Sequence, residues 1–485
     1  MKDYSLLKIN LIGGIVSPGT LQYILSAARE AGVREVRFGA RQQILMYVKA
    51  VTVRGSGIVE LKKKLYESKI DFEIDADNLP NIITSYCAEE VFPTGQWISE
   101  GIYNDIFDGF DYQPKLKVNI SDFQQSFTPF FTGNLNFIAS NTQNFWYLYV
   151  RPKQSNKVFR FPILIYTLEI PKICKRIEEV IWENSEMDEN EIYEKVIAKG
   201  EIISQVILED LKLPKFSLPY YEGFNRYGDK TWLGIYRRNE TFSLDFLKEI
   251  CELCLETKIG QICTTPWKSL IIKGIENRHR SLWDKLLGKY TINVRHAANE
   301  LNWQVEDLAP EGLALKKAII REFDDEDVRT FGLSFAVQTR SKSEVFGSVV
   351  IKKRSIFGGL SSAFDIYHTV DFNPNTRELV LFEKGVNKAH VPEILQRLTK
   401  RFYAQNSKQE VSIIKQKEIK VSDSQPIKVH QCKTCFTIYD ERFGDSVNEI
   451  AVGVKFTDLP STYSCPICEG DKAEFVEVDV EGLLV

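Results

Sequence analysis

Nine cysteines are the residues of this 485-residue chain best suited to chemistry, and four of them are grouped. Cys432 and Cys435 form one Cys-x-x-Cys pair, and Cys465 and Cys468 form a second after 29 intervening residues. Two such pairs presented together offer four thiolates in a near-tetrahedral arrangement, which suits a single iron or zinc ion. Separated pairs of this kind are a specific metal pattern, so a bound metal is preferred over four unligated core cysteines. Cys87, Cys174, Cys251, Cys254 and Cys263 are scattered through the first 428 residues. Cys251 and Cys254 share the two-residue spacing, but they lie in FLKEICELCLET at i, i+3 on an apolar helical face. Buried cysteine behaves as a small hydrophobe, so this pair reads as core packing rather than redox chemistry.

The residues between the pairs bear on which metal is held. They include Ile438-Tyr439-Asp440, Gly444-Asp445, Gly453 with Lys455-Phe456, Asp458-Leu459-Pro460 and Tyr463, followed by Cys465-Pro466-x-Cys468. With its flanks, this stretch of about fifty residues resembles rubredoxin. A plain zinc ribbon requires neither the GxKFxDLP run nor an aromatic two residues before the third cysteine. The resemblance implies a small β-rich domain holding one iron ion (Fe2+/Fe3+) through Cys432, Cys435, Cys465 and Cys468. Tyr439, Phe456, Tyr463 and Phe475 would shield it. Four thiolates keep nearly one geometry in both oxidation states, so little rearranges on electron transfer, while N–H donors to sulfur and burial tune the potential. Rubredoxins carry glycine directly after each pair, whereas this chain has Phe436 and Glu469, with Gly470 one place later. A side chain there implies either backbone strain or altered contacts to sulfur. His430 is expected as a surface neighbour of the metal and not as a fifth ligand.

The remainder of the chain repeats itself. Ser17–Val48 and Ser243–Gly274 align without a gap at a shift of 226 residues, placing Leu21 on Leu247, Ala28 on Cys254, Val36 on Ile262 and Ile44 on Leu270. Each copy begins with apolar residues at helical spacing, continues with a short β-rich stretch and a polar turn, and ends in a second strand (Ile44–Val48; Leu270–Ile272). Two copies imply a pseudo-twofold body, each unit followed by a longer α/β stretch over about 76–165 and 290–400. Glu178–Lys199 is strongly acidic and reads as one exposed helix. Residues 404–428 are polar, charged and free of aromatics, and read as a linker containing at most one strand. Gly13-Gly14 and Gly358-Gly359 lack the setting of a dinucleotide site and are expected to be turns.

The repeated unit resembles the ferredoxin-like half-domain of nitrite and sulfite reductases, with Arg41-Gln42 at that family's Arg-Gln. The following stretch resembles the sirohaem-domain partner through Pro114-Lys115-Leu116-Lys117 and Asn134-Leu135-Asn136-Phe137-Ile138. This resemblance covers roughly 5–400 in two halves. Family members hold a 4Fe–4S cluster through Cys-x5-Cys and Cys-x3-Cys pairs, one cysteine bridging to sirohaem iron. Neither spacing occurs here, and no cysteine lies between Cys263 and Cys432. The run Ser121-Asp122-Phe123-Gln124-Gln125-Ser126-Phe127 even resembles the family's first thiol turn with phenylalanine at both thiol positions. No 4Fe–4S cluster is therefore expected, and sirohaem is disfavoured. Arg41, Lys115 and Lys117 match positions that pair with tetrapyrrole carboxylates or substrate anions, making them candidates for an anion or cofactor pocket. Solvated residues at strand ends are the preferred alternative. Arg295-His296 falls where a second-half anion site would lie, with a structural role preferred.

The expected class is α+β, with ferredoxin-like and sirohaem-type halves repeated about a pseudo-twofold and a small rubredoxin domain. The expected segments are 1–75 and 236–290 (ferredoxin-like halves), 76–235 and 291–403 (sirohaem-domain-like regions, the first with a connector), 404–428 (linker) and 429–485 (iron domain). Residues 429–485 carry eleven acidic and four basic side chains, net −7, leaving +3 of the chain's −4 for residues 1–428. Such a carrier is steered toward basic surfaces, although acidity also serves simply to solvate a terminal domain. The weak overall charge gives no general affinity for nucleic acid or anionic membrane. The polar N-terminus and short apolar runs indicate neither a signal peptide nor a spanning helix, so a cytoplasmic location is expected. The function expected is one-electron transfer to a redox partner protein such as a nitrite or sulfite reductase, with the cluster-less body as docking module or scaffold. The rivals are a zinc-bound interaction module and a tetrapyrrole reductase with a built-in rubredoxin donor.

Overall fold

A computed structural model of the chain describes residues 4–50, 57–76, 80–92, 97–152, 157–183, 187–340, 345–356, 361–420 and 428–479. The chain divides into two compact units, 1–400 and 401–485. The first copy of the repeat lies within β1 (Tyr4–Asn10), β2 (Ile15–Val16), α1 (Pro18–Glu30), β3 (Glu35–Phe38), β4 (Gln43–Lys49), α2 (Gly57–Glu67) and β5 (Phe72–Ile74). It is followed by β6 (Ile82–Thr84), α3 (Glu100–Asp108), β7 (Val118–Ser121), β8 (Leu135–Ala139), β9 (Phe145–Val150), β10 (Phe159–Tyr166), α4 (Ile170–Glu183), α5 (Glu189–Ala198) and β11 (Ser204–Val206).

The second half repeats the plan. Its elements are β12 (Gly223–Tyr227), β13 (Lys230–Ile235), β14 (Phe242–Ser243), α6 (Leu244–Glu256), β15 (Ile262–Thr264), β16 (Leu270–Glu276) and α7 (Arg280–Lys289). Then come α8 (Ala298–Leu301), β17 (Trp303–Val305), α9 (Pro310–Asp325), β18 (Phe335–Gln338), β19 (Val349–Ile356), β20 (Ser361–Thr369), β21 (Leu379–Val386) and α10 (Val391–Lys420).

The repeat is visible at the level of single bonds. Ser17 caps α1 by accepting from the Thr20 N–H at 3.1 Å, and its counterpart Ser243 caps α6 by accepting from Phe246 at 3.3 Å. Such caps satisfy orphan donors of the first turn. The apolar stripes Leu21, Ile24, Leu25, Ala28 and Leu247, Ile250, Cys251, Cys254 are fully buried in one shared core. Burial pushes the Cys251 thiol up to about 12 and raises Cys254 as well, so both remain protonated packing groups, as the helical spacing implies.

The halves also exchange strands. The first antiparallel sheet has the order β14-β3-β4-β1-β5, and the second has β12-β13-β16-β15-β2. Each half thus lends the two-residue strand before its helix to the edge of the other's sheet. The registers Phe242↔Val36 and Val16↔Ile262 are the same pairing carried through the 226-residue shift. The two remaining body sheets match likewise: β6, β7 and β8 run parallel with β9 and β10 antiparallel, as do β17, β18 and β19 with β20 and β21.

Two expectations are corrected. Residues 404–420, expected as part of a linker containing at most one strand, continue helix α10, and 421–427 lie outside the described residues. Glu178–Lys199 is not one exposed helix. It is split between α4 and α5, which bury Val180, Ile181, Ile192 and Val196. Glu178 is itself buried, because its carboxylate accepts the backbone N–H of Leu116 at 2.6 Å and that of Lys115. Gly13 and Gly14 form a turn at φ 67° and 74°, while Gly358-Gly359 lies outside the described residues. Among the described residues, no helix is long and apolar enough to cross a membrane.

Candidate metal centre

The C-terminal unit is built on the three-stranded sheet β23-β22-β24, with β22 spanning Lys428–Cys432, β23 Ile438–Tyr439 and β24 Phe475–Asp479. Two hairpin knuckles present the cysteines in the same way. In the first, the Phe436 N–H donates to the Cys432 carbonyl at 2.9 Å and the Cys432 N–H to Thr437 at 2.9 Å. In the second, the Glu469 N–H donates to Cys465 at 2.9 Å and the Cys465 N–H to Gly470 at 2.8 Å. Closing each knuckle requires a left-handed residue after the second cysteine, and Phe436 (φ 61°) and Glu469 (φ 59°) adopt that conformation despite their side chains. The knuckle geometry therefore survives the loss of glycine, with local strain.

The knuckles bring the four sulfurs within 4.8 Å of one another, and among the described residues this is the one group of side chains arranged to hold a metal. Cys432 Sγ lies 3.6 Å from Cys468 Sγ, and Cys435 Sγ 3.4 Å from Cys465 Sγ. A tetrahedron with metal–sulfur bonds of ~2.3 Å has edges of ~3.8 Å, so the sulfurs fit one ion. The N–H groups of Cys435 and Thr434 hold the Cys432 thiol below its usual range. Burial opposes ionisation of Cys465, yet the N–H groups of Cys468 and Ile467 bring it down to about 6. Cys468 receives the Gly470 N–H, which lowers it, but the crowding thiols around it push it up to about 12. Four adjacent thiolates repel one another, and a bound cation removes that penalty.

Cys432 and Cys465 are fully buried, whereas Cys435 and Cys468 reach the surface. The shield is a ring cluster: Tyr439 packs on Phe456 at 5.6 Å and Tyr463 at 5.8 Å, and Phe475 contacts both Phe456 and Tyr463. Asp445 anchors the intervening loop by accepting from the Tyr463 hydroxyl and Asn448, each at 2.9 Å. Burial would raise that carboxyl, and these donors outweigh it and hold it below the ordinary range. His430 stacks on Phe456 at 4.0 Å, a shielding contact that its position in sequence does not reveal. A further contact missed in the sequence is the Thr437 hydroxyl, 3.0 Å from Cys435 Sγ.

The body places its candidate residues differently. Arg41 is buried, not solvated: its guanidinium donates to Asn119 Oδ1 at 3.2 Å and to the carbonyls of Asn81 at 2.7 Å and Val118 at 3.1 Å. It ties the β3–β4 turn to the parallel sheet. Lys115 is exposed over the Trp182 ring at 5.4 Å, and Lys117 is half-buried with its N–H on Asn134 Oδ1. Two clefts, of about 570 and 330 Å³, are lined by none of these three residues. His296 is buried against Glu222, which accepts from its backbone N–H at 2.6 Å and lies 2.7 Å from Nδ1, in keeping with a structural role. At the position equivalent to Gln42, Lys268 is buried and bonded to Glu240 at 2.9 Å, Asp307 at 3.2 Å and the Val305 carbonyl at 2.6 Å. Phe127 lies in a chain of buried rings with Tyr221, Trp267 and Phe346, at centroid separations of 5.4, 6.1 and 6.2 Å. The five body cysteines are all buried and contribute to no metal-holding group among the described residues, so this donor set does not fit a four-cysteine cluster.

A small β-rich unit presenting four convergent sulfurs defines a single-ion tetrathiolate metal domain. Residues 429–475 match the rubredoxin family model. Rubredoxin of Megasphaera elsdenii is 48% identical over 50 residues, which cover 94% of that protein and 10% of this chain. The rubredoxin in the uptake hydrogenase operon of Azotobacter chroococcum mcd 1 is 43% identical over 51 residues, covering 71% of that protein and 10% of this chain. Through this domain the chain belongs to the rubredoxin family. The body is similar in fold to the NirA protein of Mycobacterium tuberculosis, with a TM-score of 0.59 and 14% identity over 82% of this chain and 80% of that one.

Proposed function

We propose that the chain is a one-electron carrier. Cys432, Cys435, Cys465 and Cys468 hold the iron, and the body serves as a docking module or scaffold for a redox partner of the nitrite or sulfite reductase class. The observation that carries this reading is the tetrahedral sulfur set, two of its members reaching the surface. Bound iron supplies a reversible Fe(II)/Fe(III) couple. The protein supplies fixed sulfurs, N–H donors that stabilise their charge, and rings that exclude water from the buried side. The unsuitable body cysteines and the packed rings around Phe127 support a body without a cluster. The engagement of Arg41 with Asn119, Asn81 and Val118 supports a structural role for it rather than an anion site.

The acidity of 429–485 favours a basic docking surface on the partner. Stopped-flow oxidation of the dithionite-reduced full chain by a nitrite or sulfite reductase should therefore slow as salt is raised, because screening weakens steering. No oxidation by either enzyme would remove the reductase assignment. The occupied left-handed positions Phe436 and Glu469 favour a second reading, a zinc-bound interaction module. Metal analysis separates the two readings, since a zinc site gives colourless, redox-silent protein.

A further inference from the structure

We propose that Thr437 sets the reduction potential of the centre by donating its hydroxyl hydrogen to the Cys435 thiolate. The inference rests on the iron reading above and deepens it. Thr437 Oγ1 lies 3.0 Å from Cys435 Sγ. A metal-bound thiolate carries no proton, so the hydroxyl is the donor. The residue is fixed at both ends, because its carbonyl accepts the Cys432 N–H at 2.9 Å and its β-branched side chain has few rotamers. The hydroxyl is thus organised before any electron arrives.

The two knuckles make this contact asymmetric. Thr437 follows Cys435 by two residues, as Gly470 follows Cys468. Gly470 gives Cys468 a backbone N–H but has no side chain to add a second donor. Cys435 is also one of the two cysteines at the surface, where electron density on sulfur governs coupling to a partner. On reduction the metal gains one electron and no bond is made or broken, so the complex becomes more negative by one charge. A donor pointed at sulfur stabilises that form more than the oxidised one and raises the potential. Thr437 is therefore a positioning residue for charge and not a ligand.

The test is a spectroelectrochemical titration of the iron-bound full chain beside Thr437→Val, Thr437→Ala and Thr437→Ser. Removing the hydroxyl with Val or Ala should lower the equilibrium constant for reduction about tenfold, a fall of about 59 mV for a one-electron couple. The sulfur-to-iron charge-transfer bands should move to lower energy in both variants, and Ser should restore potential and bands. An unchanged potential in an iron-loaded Val or Ala variant would overturn the inference while leaving the iron reading intact. A Ser variant as low as Val would also overturn it, since packing and not the hydroxyl would then be responsible. Protein that holds only zinc and shows no redox response would overturn both.

Discussion

Phe436 and Glu469 stand where each knuckle needs a left-handed backbone, and both adopt it, at φ 61° and 59°. An L-residue there costs about 1–2 kcal/mol, partly offset by the greater freedom glycine loses on folding. Phe436 gains little packing in return, since it is 68% exposed. Phe436→Gly should accordingly stabilise the C-terminal unit by about 0.5–1 kcal/mol. Thermal unfolding followed by loss of the metal-centre absorption checks this, and a lower midpoint would contradict it. At this scale the sequence is informative where chemistry is local: the ligand spacing points to the quartet, and the resemblance to rubredoxin points to the rings around it. The burial of Arg41 is not legible locally, because its acceptors, Asn119 and the Asn81 and Val118 carbonyls, come from distant segments whose approach no local pattern encodes. Thr437 was missed because a threonine in a turn carries no signal until the adjacent sulfur has a direction.

The paired helices α1 and α6 were legible as a repeat, because the apolar stripes and the strands behind them align at one shift. The strand exchange was not. β2 and β14 are two residues each, too short to display any alternation, and their pairing is decided by the sheet edges they meet. Helix α10 extends past the expected boundary because residues 404–420 include good helix formers, and high polarity alone does not distinguish a solvated helix from coil. The buried Lys268 shows what the second half does with its turn. Burial opposes its charge, but Glu240 and Asp307 outweigh that and hold its pKa above the ordinary value. Lys268→Met would leave two carboxylates unpaired in the interior and should cost about 3–5 kcal/mol in denaturant unfolding of the body. Because the folded pKa is raised, the contribution is complete below about pH 10.4 and disappears as pH climbs through the folded value. Wild-type stability should therefore drop at strongly alkaline pH, and the variant should lack that step. A variant of unchanged stability would show that the triad contributes no net energy.

Across the whole molecule, charge and chemistry are partitioned together. The 57 residues from 429 carry net −7 and the only described metal-holding group, while the preceding 428 carry +3 and buried, protonated cysteines. The body shares its fold with NirA at 14% identity, and its interior holds rings at Phe127 and Trp267. Under the proposed function the chain carries one redox-active ion and no iron–sulfur cluster. Coulometric titration of the purified full chain, with metal and acid-labile sulfide measured on the same sample, tests it most directly. One electron per chain, one iron and no sulfide are expected; zero electrons with bound zinc, or more than one electron with sulfide present, would overturn the proposed function.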